Sequence, residues 1–407
     1  MIRLAWRNIW RNKRRALITI ASVFFAVFFC TILYCFECGA WEQMIENTLR
    51  TQTGHIQINA VGYRQDETID NFMSVDAAAI AELEKIPNID NVSPRVETFA
   101  MASYGSVTKG VAVFGVSPAK EAEKSNLPSH LVRGKYLDEA DEGVLIGESL
   151  SRYLGAEVGD TLAFIGQGWH GASAAGLFPV RGILKMITTE MDAGMAYISI
   201  SAARSFIDMP DGCSEILISV KDNRLLDKTI DEVKRQFSIF NSQFPNFEVL
   251  SWRTTMERLL QTAESDKAFA KIIMFILYLI VGFGILGSVI MMTNERLREF
   301  AILISLGMKR ARLIAVVALE MLFLSLIGVA LGLAVSVPAA YWFAAHPIRI
   351  TGEMAKMYSD MGMEPVMPLS TDTSIFFGQI IIVFIIACLT IIYPVLIIRK
   401  LKLNTTH

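Results

Sequence analysis

The chain has 407 residues, with 38 lysines and arginines against 40 acids, and 53% of its residues are apolar. A soluble domain is rarely so apolar, and the excess is gathered into blocks, which excludes an ordinary soluble enzyme. The blocks Ala16–Phe36, Ile272–Thr293, Met321–Ala345 and Ile375–Ile398 contain no charged residue. Each is near or above the roughly 20 residues that cross a hydrocarbon core as helix, the form in which an isolated span satisfies its own backbone.

In chain order, residues 1–15 come first, with Arg3, Arg7, Arg11, Lys13, Arg14 and Arg15 and no acid. Arg3, Arg7 and Arg11 share one helical face, and Ile2, Trp6, Ile9 and Trp10 cover another, a pattern for a helix lying in the membrane interface. Because the basic run abuts a membrane span, it does not read as a nucleic-acid patch. The first span, 16–38, is too long for the usual signal-peptide core and has no clear cleavage site, so it reads as a retained anchor.

Residues 39–267 read as an external domain carried on two stalk helices, near 41–49 and 251–260. Between the stalks the pattern is mixed. Strands are expected at 54–58, 111–116, 143–146, 161–165, 178–184, 196–200, 215–220 and 246–250, and helices at 75–86 and 226–237. The glycine-rich stretch 166–176 separates two of those strands. It is either a plain flexible hairpin loop or a partner-binding loop anchored by Trp169.

The other spans are expected at 268–293, 313–343 and 374–398, with an external loop at 344–373 and a tail at 399–407. Lysine and arginine concentrate in 1–15, 294–312 and the tail, which puts both termini and the 294–312 loop in the cytoplasm. In that loop Leu297, Phe300, Ala301 and Ile304 recur with helical period, Asn294 is the expected N-cap and Gly307 the expected stop. A helix of this kind either connects two spans or offers an apolar ridge, flanked by charges, to a groove on a partner. Further on, Gly328-x-x-x-Gly332 permits close helix approach, and Glu320, about two turns inside its span, needs protein, water or a cation around it.

No catalytic constellation is present. There is no G-x-x-x-x-G-K-[ST] and no H-E-x-x-H, Gly147–Ser151 misses the nucleophile-elbow pattern, and the five histidines show no ligand spacing, so no metal site is expected. Of the five cysteines only Cys213 lies clearly in the external domain, so no disulfide framework is implied. Cys35-x-x-Cys38 has no second ligand pair and reads as helix packing.

Asn-Glu-Arg-x-Arg-Glu-Phe-Ala-Ile-Leu-x-Ser-Leu-Gly-Met at 294–308 resembles the signature of FtsX-type ABC transporter membrane subunits. The resemblance continues through Glu320, Gly328, Gly332, Pro394 and the Arg399-Lys400-Leu401 tail, and Ala5–Arg14 is similar to the family's start. It implies an α-helical membrane protein with four transmembrane helices and a mixed α+β, MacB-like periplasmic domain inserted between helices 1 and 2. Ser151–Leu162, Phe178–Leu184 and Gly54–Ile58 are most similar to the lipoprotein-releasing, Lol-type subunits.

The resemblance also implies an inner-membrane permease in which two subunits, identical or related, pair with a dimer of a separate ABC ATPase. ATP and magnesium would be bound by that partner, with no cofactor in this chain. Glu295, Arg296, Arg298, Glu299, Phe300, Leu303 and Gly307 would couple to the ATPase. The implied cargo is an acylated lipoprotein, entering from the outer leaflet past membrane lipids along Phe24, Phe25, Phe28 and Ile285. In one type of Lol subunit, the loop between the corresponding strands hooks a periplasmic chaperone, and residues 166–177 occupy that place without an obvious hook pattern. Efflux of hydrophobic compounds or peptides, and non-transporting regulation of a cell-wall hydrolase, share the architecture.

Overall fold

The computed structural model describes residues 2–11, 13–186, 188–240, 246–360 and 366–400. The end of the expected tail, with Lys402, lies outside the described residues. The chain forms two compact units, the first from Met1–Glu42, Thr262–Arg349 and Val366–His407 and the second from Gln43–Gln261 and Ile350–Pro365.

The first unit is helical. Its helices are α1 (Ile2–Arg11), α2 (Lys13–Thr48), α3 (Glu257–Glu295), α4 (Leu297–Ser305), α5 (Arg310–Ala345) and α6 (Thr373–Lys400), of which α2 and α3 also contribute residues to the second unit. Helices α2, α3, α5 and α6 are long and apolar enough to cross a membrane. The glycine pair of α5 brings two of them together. A Cβ on Gly328 would lie 2.6 Å from Val23, and one on Gly332 would lie 2.9 Å from Val27, so only hydrogen fits where α5 meets α2. Val23, Val27, Cys30, Ile285, Val289 and Leu324 form the centre of this core. Cys35 and Cys38 are buried and free, and the Cys35 carbonyl accepts a hydrogen bond from Ser370 N at 2.8 Å.

The second unit is built on one large sheet. Its strands are β1 (Ile56–Ala60), β2 (Ile89–Tyr104), β3 (Val107–Val116), β4 (Leu131–Gly134), β5 (Val144–Gly147), β6 (Thr161–Gln167), β7 (Ser173–Leu184), β8 (Met195–Ser199), β9 (Glu215–Val220) and β10 (Phe247–Ser251). They run β10-β1-β9-β2-β3-β8-β5-β7-β4, and β6 pairs with both β2 and β7. The pairings β2-β3-β8-β5-β7-β6-β2 therefore close a ring. Long β2 makes this possible: its first half pairs with β9 and its second half with β6. The pairs β3/β8 and β5/β7 are parallel, and the others are antiparallel. Ile56, Ile58, Val96, Phe164, Ile216 and Phe237 are among the fully buried residues of the core. Close packing of the helix Ile200–Ile207 on the sheet depends on glycine at Gly115, where an added Cβ would meet Ala203 Cβ at 2.2 Å.

The glycine-rich stretch after residue 165 is mostly strand. Residues 161–167 and 173–184 pair directly, Gln167 opposite Ser173, so the loop is a tight turn over 168–172 in place of a long flexible segment. Trp169 is partly buried and packs against the domain core, with its ring stacked on His170 at 4.0 Å. The ring therefore stands half-buried against the sheet and not free at the tip of a flexible loop.

Candidate functional site

Helix α4 lies in the chain between two membrane-long helices, and its surroundings belong to the first unit. The structure moves its start. Helix α3 continues to Glu295, so Asn294 lies in the last turn of α3 and accepts a hydrogen bond from Tyr393 Oη at 3.3 Å. Arg296, not Asn294, stands at the N-cap position of α4. At the other end Gly307 has φ of 96°, a left-handed conformation that favours glycine, and its N–H bonds back to Ile304 O at 3.0 Å.

The apolar ridge of α4 is turned inward. Phe300 is 1% exposed and packs with Leu313 and Val317 of α5 and Ile398 of α6, with Leu303 and Ile304 half-buried beside it. The ridge is therefore not the surface a partner would grip, which corrects the expectation for Phe300 and Leu303. The outward face carries Arg298 with Ile302 and Leu306, the last two 60% and 79% exposed.

Three charges of the loop, Glu295, Arg296 and Glu299, are committed within the chain. Glu299 accepts hydrogen bonds from Arg11 at 2.6 and 2.7 Å, and Glu295 pairs with Arg15. Those bonds from Arg11 hold the Glu299 carboxyl below its ordinary value. Arg296 turns toward α5, where it reaches both oxygens of buried Glu320 at 2.8 and 2.9 Å, and its guanidinium lies 5.3 Å from the Phe300 ring. So Glu295, Arg296 and Glu299 are not the free register charges expected. An ionised acid buried in a span is costly without a partner, and among the described residues Arg296 is the cation paired with Glu320. The roles of Arg11 and Arg15 were missed. Their four-residue spacing matches that of Glu295 and Glu299, and that was the available signal.

Along α2 the rings of Phe24 and Phe28 stack at 6.1 Å, as do those of Phe25 and Phe29, and Phe25 and Phe29 are 53% and 60% exposed. Ile285 does not join them on the surface. It is 4% exposed inside the helical core, which corrects its place on an outward lipid route.

The second unit holds a buried ionic cluster that sequence reading also missed. Arg95 of β2 bonds Glu121 at 3.1 Å and the carbonyls of Thr51 and Gln52 at 3.1 and 3.3 Å, and lies 3.8 Å from Glu215. Burial opposes ionisation of Glu121, but the Arg95 charge outweighs it and holds the carboxyl below its ordinary value. Glu97 is pushed up to about 7 by burial and by Glu215. Lys124, whose ammonium finds no hydrogen-bond partner among the described residues, is pushed down to about 7 by burial and by Arg95. A cavity of about 260 Å³ opens beside the cluster, lined by Gln57, Tyr63, Glu67, Arg95, Glu97 and Glu215 among others.

Comparison with known proteins accounts for both units. The family model of the MacB-like periplasmic core domain matches residues 16–236, and that of the FtsX-like permease C-terminal domain matches 271–403. The chain is 20% identical over 331 residues to the lipoprotein-releasing system transmembrane protein LolC of Xylella fastidiosa, covering 78% of this chain and 76% of that one. It is 21% identical over 383 residues to the macrolide export ATP-binding/permease protein MacB of Bordetella avium, covering 93% of this chain and 57% of that one. It is 23% identical over 347 residues to an ABC transporter permease of Methanocaldococcus jannaschii, covering 83% and 82%. With a MacB-like core domain over more than half its length and an FtsX-like domain after it, the chain belongs to the FtsX-type ABC transporter permeases.

Proposed function

We propose that this permease is the membrane subunit of a bacterial inner-membrane transporter and extracts acylated lipoproteins. A separate ABC ATPase dimer binds ATP and magnesium, and a second permease subunit completes the assembly. The basic ends and the 294–312 loop face the cytoplasm, and the α/β unit faces the periplasm. The carrying observation is the two-faced character of α4. Its inner face is tied to α5 and α6 through Phe300 and Arg296, while Arg298, Ile302 and Leu306 are left outward. An ATPase groove holding that outer face would move α4, and the inner face would pass the displacement to the spans. Helices α2 and α3 would carry it outward, with no bond chemistry in this chain. The exposed Phe25 and Phe29 offer acyl chains a contact surface. A similarity that spans 93% of this chain to a macrolide exporter favours a second reading, efflux of a hydrophobic compound by the same mechanics.

The test is reconstitution with the ATPase in proteoliposomes, with ATP-dependent release of an acylated lipoprotein as the readout. Release is expected in the native pair and is expected to be lost when Ile302→Asp and Leu306→Asp are combined. Release that survives this pair of changes would remove α4 from the coupling path. No release of lipoprotein, together with ATP-driven movement of a macrolide, would select the second reading.

A further inference from the structure

A groove of about 640 Å³ runs between α3 and α6 on the outside of the helical unit. Phe275, Leu279 and Phe283 of α3 form one wall, and Ile385 and Leu389 of α6 the other. Gly282 makes the space. A Cβ there would meet only Ile386 Cγ2, at 3.6 Å, so a glycine in mid-helix leaves a hollow that a larger side chain would fill.

The polar groups of the lining are few. Tyr278 donates to Gln379, and Thr390 donates to Ala387 O at 2.9 Å, so both hydroxyls are satisfied within the chain. That leaves Lys271 at one end. No ion pair is found for its ammonium among the described residues, and the two walls, Ile272–Thr293 and Ile375–Ile398, contain no carboxylate. An occupant must therefore be apolar along its length and bring an anion to one end. From Lys271 to Leu286 the helix rises about 22 Å at 1.5 Å per residue. That exceeds one leaflet of acyl chain, about 15 Å of a hydrocarbon core roughly 30 Å thick.

We propose that this groove is a binding site for an anionic glycerophospholipid, with one acyl chain against Gly282 and the phosphate beside Lys271. The site is separate from the cargo surface on α2 and is independent of what is transported. A lipid held on α3 would make the mobility of that helix depend on the anionic lipid content of the membrane.

The experiment is native mass spectrometry of the full chain, delipidated in detergent and offered phosphatidylglycerol or phosphatidylcholine of matched chains. The native chain is expected to retain phosphatidylglycerol about five-fold better. Lys271→Gln, on the exposed rim, should bring that ratio to about one. Gly282→Trp should lower retention of both lipids about ten-fold, and Gly282→Ala should keep it, which separates a filled groove from a damaged fold. Equal retention of the two lipids by the native chain, or a preference that survives Lys271→Gln, would overturn the proposal. So would disulfide trapping of two copies in membranes through Phe283→Cys with Cys388→Ser, because a second chain would then occupy the groove. Neither ATPase nor cargo enters the measurement, so its failure leaves the transport reading standing.

Discussion

Glu320 is 1% exposed, and Arg296 reaches both of its oxygens. Removing one partner from a buried pair leaves the other uncompensated, at a cost of roughly 3–5 kcal/mol, whereas replacing both is often neutral. Arg296→Leu is therefore expected to lower the thermal midpoint of the purified chain by the equivalent of about 3 kcal/mol. Arg296→Met with Glu320→Met should recover most of it. The need for a partner at Glu320 was legible, because an acid in an apolar span must be answered. The partner was not, because the pattern of the 294–312 loop does not say which way Arg296 turns. Two further residues set a pH dependence. Glu97 is raised from 4.5 to about 7, so in that window the folded chain holds a proton that the unfolded chain has released. Its stabilising share is complete below 4.5 and fades as pH rises to about 7. Lys124 is lowered from 10.5 to about 7, so there the unfolded chain holds the extra proton and stability rises with pH toward 10.5. Thermal melts across pH should show Glu97→Gln losing the fall below pH 7 and Lys124→Met losing the rise above it.

The spans were readable because membrane helices are written in consecutive apolar residues, and the glycine pair of α5 was readable as close packing. Gly328→Val would drive side-chain atoms into Val23 and Ile20, and overpacking of that kind costs about 1–3 kcal/mol. Gly284→Val, where a Cβ meets nothing within 4 Å, should change the midpoint of the same detergent-solubilised chain far less. Strand β2, the longest in the sheet, escaped prediction. Asn91, Ser93 and Arg95 lie on the face opposite Val92 and Val96 and are polar yet nearly inaccessible, while Phe99 and Met101 on that same side are exposed, so polarity does not sort the strand into an inner and an outer face. Arg95 fits there because Glu121, Glu215 and the carbonyls of Thr51 and Gln52 surround it, partners that no local window contains. The 166–176 stretch failed in the opposite sense. Its glycines suggested a loop, and Gly168 and Gly171 do lie in the turn, but Gly166 serves the ladder: a Cβ there would lie 2.7 Å from Phe99 O.

For the whole molecule the decisive distinction is between the two faces of α4. Phe300→Ala should destabilise the isolated chain by about 3 kcal/mol, since it empties a buried site, and should weaken ATPase co-purification only to the extent that folded protein is lost. Ile302→Asp with Leu306→Asp should leave the thermal midpoint nearly unchanged and abolish co-purification. If those results were exchanged, the faces would have been assigned the wrong way round. What the sequence determined alone was the number and order of the apolar spans, the mixed α/β content between the first two, and the amphipathic helix with its glycine stop. Each is a local property, set by side-chain hydrophobicity, periodicity and backbone freedom over a few turns. Only the tertiary structure decided which way α4 faces, that Arg11 and Arg15 answer Glu299 and Glu295, that Ile285 is interior, and that Arg95 gathers a buried ionic cluster. Those are pairings between residues tens to hundreds of positions apart, and burial and charge compensation choose among them only when the elements have packed.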